Sequence, residues 1–434
     1  MNEAGRTVFV LRETPAHWLS SVVDAAHTLG LRAAVVTPAV AEHEHADLAG
    51  LADDVCVIAD IRDAEEVAGR IRAATGGARP AGVLTAAEDI IATAARAAEL
   101  LGVGRCPADV LRLAHNKFAV RQLLAEAGLP GPRHALVSET SEATAVAESV
   151  GLPAVVKPVN GAASTLVRTV RSTDELAQAC ALLARRLPEA PDARYHRPVA
   201  DRAGGSLDPR RVFLVEGLLR GPEYMVDVVV SDGVAEPVAI VDKPLIDERA
   251  FELAMACPPL TLSGERAEAI TDVVVRSVLA LDLDNTVAHV EVIDDEVAGP
   301  TIVEINAGRP VGGATAELIK LHTGVDMFAE FVAAAAGLPR PAPAGNRIPV
   351  PLGELIVYPP GGGRLVAIHG LDAVRELPEV ISIVTTVSPG QVLSGEQEVY
   401  AVNVFVAGFT DHDELAALYD EVTKLVRIEL EPLD

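Results

Sequence analysis

With 434 residues, half of them hydrophobic, the chain is long enough for two or three domains with proper cores. No uninterrupted apolar run approaches the roughly 20 residues of a membrane span, and the start, MNEAGRTVFVLRE, lacks a basic stretch followed by a long apolar one. The formal charge is −26, from 36 basic and 62 acidic residues, a surface that repels nucleic acid and anionic membranes and removes both from the expected partners.

Any phosphate site must therefore be a local pocket of cations, backbone N–H groups and metal. Four cysteines (Cys56, Cys106, Cys180, Cys257) stand singly, which argues for a reducing cytoplasm and against a zinc or disulfide framework. Only five lysines occur, Lys117, Lys157, Lys243, Lys320 and Lys424, against 31 arginines. A chain that so prefers arginine is expected to use lysine where a compact point charge matters.

In chain order, strands are predicted at Thr7–Leu11, Arg32–Val36, Asp54–Ile58 and Gly82–Thr85. Helices are predicted at Ala16–Leu29, Asp63–Ala74 and Glu88–Leu101, the last stopped by Gly102. This alternation implies a parallel sheet of βαβ units. No G-x-G-x-x-G follows the first strand, so the segment is expected to be a substrate-side scaffold and not a dinucleotide site. From Leu113 the pattern changes. A helix is expected at Lys117–Ala127, another at Ser141–Ser149, and a short buried strand at Pro153–Pro158. Pro188–Pro209, rich in Pro, Gly, Asp and Arg, is expected to be a long loop before a strand at Val212–Val215. Further strands are expected at Glu223–Ser231 and Glu236–Val241, a helix at Gly264–Ala280, strands at His289–Ile293 and Thr301–Ile305 turning at Asp294–Asp295, and mostly helix over Ala314–Ala336. A linker-like PRPAPAGNRIP leads to a β-rich end closed by a helix at Asp411–Leu425.

The segment HVEVIDDEVAGPTIVEINAGRPVGG carries the most chemistry. On two adjacent antiparallel strands Glu291 and Glu304 can face each other and point the same way. Carboxylates at that distance repel unless a cation lies between them. Glu, Glu and Asn306 oxygens suit Mg²⁺ bound together with phosphates; the plain alternative is solvated charge on a hairpin. Lys157 ends a buried strand before the small-residue run Val159–Thr165, which includes Ser164, and can reach phosphate oxygens while the loop's N–H groups close over them. Lys117 opens a helix after Asn116, where it can meet an anion. Around Gly217, a strand edge after Glu216 can offer backbone groups to an adenine, with Glu223 accepting from ribose hydroxyls; two exposed loop acids is the alternative.

In this order the motifs resemble the ATP-grasp superfamily over about residues 113–340. The resemblance implies an α/β (α+β ATP-grasp) architecture: a Rossmann-like parallel βαβ pre-ATP-grasp domain at 1–112, a two-subdomain ATP-grasp core at 113–345 with its lid at about 113–215, and a β-rich C-terminal subdomain at 346–434. It assigns Lys117 and Lys157 to nucleotide phosphates, Asn160–Thr165 to the phosphate loop, Glu216–Leu219 to the adenine hinge, Glu223 to the ribose, and Glu291, Glu304 and Asn306 to magnesium, at separations of 13 and 15. Within the superfamily the chain most resembles the L-amino acid ligases and related dipeptide-forming carboxylate–amine ligases, through His289-Val-Glu291, Lys243 followed by CPPLTL, and the tail motifs YPPGGGRLVAIHG and SPGQ. Two departures stand out: Ala162–Ala163 replace a customary glycine, and Gly308 places Arg309 three residues after Asn306 instead of two.

The resemblance implies ATP-dependent amide formation through an acyl phosphate, with release of ADP. Mg²⁺ (or Mn²⁺ in its place) would serve at the metal site, Lys157 and Arg309 would offset charge, and His289 would orient a substrate or a neighbouring ligand. The expected partners are a small-molecule carboxylate and an amine, both taken as amino acids. A cytoplasmic setting is expected; the superfamily is often dimeric, which leaves a homodimer open, but the sequence shows no interface signature. A carboxylase, a phosphotransferase or a nucleotide-binding protein without ligase chemistry are the competing expectations.

Overall fold

The computed structural model describes residues 4–13, 18–161, 165–190, 192–248, 251–393, 395 and 398–433. The N-terminal strands Thr7–Leu11, Arg32–Pro38, Asp54–Ile58 and Gly82–Leu84 form the expected parallel sheet, with the first strand between the second and fourth. The helix Ala64–Ala74 starts where Asp63 accepts from the N–H groups of Glu65 and Glu66, satisfying two donors that a helix start leaves free. A helix at Glu42–Leu51 escaped prediction because it buries only Leu48 and so carries no apolar periodicity.

The segment expected to be the lid holds a four-stranded antiparallel sheet of His134–Val137, Phe213–Gly217, Ala154–Pro158 and Arg168–Val170, packed on the helices Ala143–Val150 and Thr173–Arg186. The expected open loop over 188–209 is instead built: 3-10 turns at Leu187–Glu189 and Ala193–His196 lead into a short hairpin of Val199–Ala200 and Ser206–Leu207. Its acids cause this order, since Asp192 caps a turn through Arg194 N–H and Asp201 accepts from Ala203 and Gly205 N–H.

An eight-stranded, largely antiparallel sheet forms the centre, in the order Gly299–Ala307, Thr286–Asp295, Glu223–Ser231, Val234–Ile246, Glu252–Cys257, Leu352–Val357, Val402–Ala407, Val380–Thr385. Its last three strands come from the C-terminal segment, which therefore extends the central sheet as well as forming a three-stranded sheet of its own. The helix expected at Asp411–Leu425 forms over His412–Leu425, and a strand not foreseen, Arg427–Glu431, follows it and pairs with Gly363–His369. One face of the central sheet packs Met225, Val287 and Phe405 against Val8, Val10 and Val22 of the N-terminal domain. The other packs Val226, Val228 and Val290 against Val274 and Val278 of the helix Gly264–Ala280. Helices Thr315–Thr323 and Met327–Ala336 each end on a left-handed glycine, Gly324 and Gly337.

Candidate functional site

Strands Thr286–Asp295 and Gly299–Ala307 pair antiparallel with Glu291 opposite Glu304 and His289 opposite Asn306. Directly opposed residues share a face, so all four polar side chains stand together. The ladder slips just past Glu291, where Val292 pairs with Ile302 and leaves Val303 as the extra residue of a bulge. Arg121 donates to the carbonyls of Ile302 and Val303 at 2.7 Å each. The turn falls after Asp295, one residue beyond the predicted position. Among the described residues no group of three or more His, Cys, Asp or Glu is arranged to hold a metal ion. The hairpin's own set is two carboxylates and one amide. Hard oxygen donors of this kind fit Mg²⁺ when phosphates and water complete its shell.

Cations ring the hairpin. Asn116 caps the helix Lys117–Glu126 through Phe118 and Ala119 N–H, which fixes Lys117 at its first position. The Lys117 ammonium donates to Glu304 and, at 2.9 Å, to the Gly161 carbonyl. Lys157 sits 2.7 Å from Glu216, whose other oxygen takes Arg121 Nε at 2.5 Å. Glu216 is 5% exposed. Burial alone would raise its pKa, but the charges of Arg121 and Lys157 prevail and hold it at about 2. Glu216 thus turns its carboxylate into the protein. The Gly217 and Leu218 N–H groups are likewise taken, by the carbonyls of Arg133 and Pro153. The expected adenine edge is narrower than its sequence suggests. Ser164, with Ala162 and Ala163, lies outside the described residues.

Lys243, noted in the sequence only as part of a motif, is the centre of the acidic side of the site. Its ammonium lies 2.6 Å from Glu223, 2.7 Å from Glu252 and 3.7 Å from Glu291. Burial disfavours its charge, yet the three carboxylates raise its pKa well above the ordinary lysine value. Tyr400, from the C-terminal segment, donates to Glu252 at 3.0 Å. Glu223, expected at the ribose, is held here by Lys243.

His289 is buried, with Nδ1 3.2 Å from Asp227, and its Nε2 is 4.0 Å from Glu291. Asp227 also accepts from Val311 N–H at 3.1 Å, so it ties the histidine to the loop after Asn306. In that loop Gly308 adopts φ +83°, a left-handed conformation that favours glycine, and the extra residue turns Arg309 inward. Arg309 is buried and lies 3.6 Å from Glu88 of the N-terminal domain, while Arg194 of the lid reaches the same carboxylate at 3.1 Å. Burial would raise the Glu88 pKa, but the two guanidinium groups hold it at about 2. Glu88, His115, Lys117, Arg194, Glu304 and Asn306 line one cavity of about 290 Å³ between N-terminal domain, lid and hairpin. Sequence reasoning missed Glu88, Arg121 and Arg194. Each lies in an unremarkable helix or turn, and only the fold brings it to the hairpin.

Residues 150–317 match an ATP-grasp domain and residues 355–431 match the L-amino acid ligase C-terminal domain 2. The uncharacterized protein y4rH of Sinorhizobium fredii is 28% identical over 316 residues, 71% of this chain and 60% of that protein. A D-alanine–D-alanine ligase of Ectopseudomonas mendocina is 26% identical over 45% of this chain and 55% of its own length. The chain thus spans 60% or less of these curated relatives. Among solved structures, an L-amino acid ligase from Bacillus licheniformis aligns with 98% of this chain and 99% of its own at TM-score 0.76 and 21% identity. The biotin carboxylase domain of the Hydrogenobacter thermophilus 2-oxoglutarate carboxylase, in complex with MgADP, ADP and bicarbonate, aligns at TM-score 0.70 and 18% identity, covering 98% of this chain and 91% of that one. These likenesses concern the fold, and the two family matches fall on the lid, the hairpin and the tail described above. Residues 150–317 thus carry an ATP-grasp domain, and residues 355–431 carry the C-terminal domain 2 of L-amino acid ligases.

Proposed function

We propose that the protein is an ATP-dependent carboxylate–amine ligase that joins two amino acids into a dipeptide through an acyl phosphate, releasing ADP and phosphate. The observation that carries this reading is Glu291 facing Glu304 across the ladder, with Asn306 on the same face and lysines on both sides. The match of the tail to an L-amino acid ligase domain favours amide formation over the carboxylase and phosphotransferase alternatives.

A carboxylate resists attack by an amine because its charge leaves the carbonyl carbon unreactive, so its oxygen must first become a leaving group. Glu291, Glu304 and Asn306 would hold Mg²⁺ or Mn²⁺, which supplies charge neutralisation between nucleotide phosphates. Lys117 and Lys157 stand beside them to meet phosphate oxygens, and Leu219 and Glu223 flank the adenosine side. Arg309 offsets charge at the substrate carboxylate, which takes the γ-phosphoryl group. The amine then attacks the acyl carbon, phosphate departs, and one proton leaves the nitrogen. An acyl phosphate hydrolyses in water, so closure of the lid over the cavity belongs to the mechanism. His289, held by Asp227, orients Glu291 or the substrate. Chemistry here is positioning and neutralisation.

The four cysteines are buried and free, and no helix among the described residues is long and apolar enough to cross a membrane; both agree with a cytoplasmic setting. A homodimer belongs to the same proposal and is read by size-exclusion chromatography with light scattering.

The test is pairwise screening of amino acids for ADP release. Release that needs both a carboxylate and an amine supports the ligase. A stable phosphorylated acceptor indicates a phosphotransferase, bicarbonate dependence a carboxylase, and no turnover a binding protein. Undiminished activity in Glu304→Ala would refute the metal assignment.

A further inference from the structure

Trp18 is the only tryptophan in the chain, and it stands at the start of the helix Leu19–Thr28 in the N-terminal domain. Its backbone is left-handed, at φ 62°, a conformation that costs a bulky residue energy and persists where the surroundings over-determine it. What surrounds it is the loop after the acid hairpin. The Arg309 guanidinium lies over the indole, 5.7 Å from the ring centroid, within the range of cation–π attraction. A Cβ placed on Gly312 would lie 2.5 Å from Trp18 Cζ2 and 3.0 Å from Cη2. Gly312 is not among the positive-φ glycines, so the backbone does not demand glycine there. The indole occupies the room that a side chain would need.

Arg309 thus lies between the indole and Glu88, and Glu88 lines the cavity with Lys117 and Glu304. One arginine nitrogen donates to the Pro310 carbonyl at 3.1 Å, and the buried Nε has no hydrogen-bond partner among the described residues. A buried unpaired N–H of this kind is rare and marks a place where a ligand can supply the acceptor. The loop is pinned at both ends, by Gly308 N–H to the Val287 carbonyl and by Val311 N–H to Asp227. Between these anchors the indole packs on the guanidinium and fills the space beside Gly312.

We propose that Trp18 is a specificity-determining residue: its indole aims Arg309 at the carboxylate of an amino-acid substrate and limits that substrate to a small side chain. This rests on the ligase reading. In the wild type, glycine, alanine or serine is expected to give kcat/KM at least about tenfold above leucine or phenylalanine. Trp18→Ala opens the wall and raises the phenylalanine-to-alanine ratio by about tenfold or more, mostly through KM. Trp18→Phe keeps an aromatic face and stays within about threefold of the wild-type ratio. Circular dichroism and thermal melting establish that both variants fold.

Because Trp18 is the sole tryptophan, wild-type fluorescence reports on it without turnover. Alanine added with magnesium and a non-hydrolysable ATP analogue is expected to shift or quench the emission, and tryptophan-free Trp18→Phe gives the blank. An unchanged selectivity ratio in folded Trp18→Ala, or emission indifferent to the amino acid, overturns the proposal. If the wild type releases no ADP in response to any carboxylate and amine, the ligase reading itself falls, and the fluorescence titration still decides the role of Trp18.

Discussion

Replacing Glu216 by glutamine removes one charge from a triad in which Arg121 Nε lies at 2.5 Å and Lys157 Nζ at 2.7 Å from the carboxylate. The variant keeps the shape and leaves two buried cations facing a neutral amide, a change that costs about 3–5 kcal/mol when one partner of a buried pair is lost. Titration gives an independent figure. The Glu216 pKa falls from an ordinary 4.5 to about 2 in the folded protein, and 1.36 kcal/mol per unit makes this about 3 kcal/mol of stability. A depressed folded pKa means that this stability is complete above the unfolded value and disappears as pH falls from about 4.5 toward 2. Urea unfolding of wild type and Glu216→Gln, followed by circular dichroism at pH 7, 5, 4 and 3, reads both numbers. The gap is expected to be about 3 kcal/mol at pH 7 and to shrink by about 2 kcal/mol by pH 3. A gap below about 1 kcal/mol at pH 7, or one that does not narrow in acid, refutes the claim that the triad is a stabilising element of the lid.

Gly308→Ala forces a side chain into a left-handed residue, and its Cβ would lie 2.7 Å from Ile91 and 2.9 Å from Leu111; it should lower stability by about 1–3 kcal/mol in thermal melts and cut ADP release further by displacing Arg309. Glu354 is fully buried and burial raises its pKa to about 8. The folded state keeps it neutral while the unfolded chain ionises above about 4.5, so its contribution to stability falls as pH rises between those values and is constant beyond. Glu354→Gln should therefore match wild type near pH 4 and exceed it by on the order of 4 kcal/mol at pH 8, measured by urea unfolding; equal stability at both pH values would contradict the burial argument. Glu291→Gln and Glu304→Gln should each reduce ADP release by about 10²-fold or more while the protein stays folded, and chelation should abolish turnover until Mg²⁺ or Mn²⁺ is restored.

The elements most legible in the sequence were those with strong local signals. The four parallel strands, the helix Gly264–Ala280 behind its Ser263 cap, and the hairpin of Glu291 and Glu304 appear where apolar runs, caps and turns placed them. Strand register followed too, because a two-residue period lets Glu291 and Glu304 face each other in only a few alignments. What stayed hidden depends on contacts distant in sequence. Glu88 meets Arg194 across 106 residues, and Arg121 meets Glu216 across 95; no local pattern encodes either pair. Glu216 shows the converse. Its position beside Gly217 suggested a ligand, whereas the buried charges around it made it structural. The 188–209 segment read as a loop because short-range Asp-to-backbone bonds leave no hydrophobic period.

An acidic protein that takes a triphosphate needs attraction that acts only at contact, since at −26 the long-range field opposes the ligand. The pairing around the hairpin shows how this is arranged. Lys117 is paired with Glu304, Lys157 and Arg121 with Glu216, Lys243 with Glu223, Glu252 and Glu291, and Arg194 and Arg309 with Glu88. Each cation is oriented by a carboxylate, so none is a bare buried charge. On the proposed function, an incoming phosphate can win Lys117 only if Glu304 finds another cation, and the divalent ion that accompanies the nucleotide is that cation. Metal and nucleotide then bind as one exchange of partners, whereas nucleotide alone would leave Glu304 without a cation while Glu291 keeps Lys243. Glu216 anchors Lys157 and Glu88 anchors Arg309, and on the proposed function both cations meet ligand oxygens from those anchored positions. On the proposed function the Lys117–Glu304 pair on the hairpin opens on binding, while Glu88, shared by Arg194 and Arg309, ties the 193–196 turn and the loop after Asn306 to the N-terminal segment.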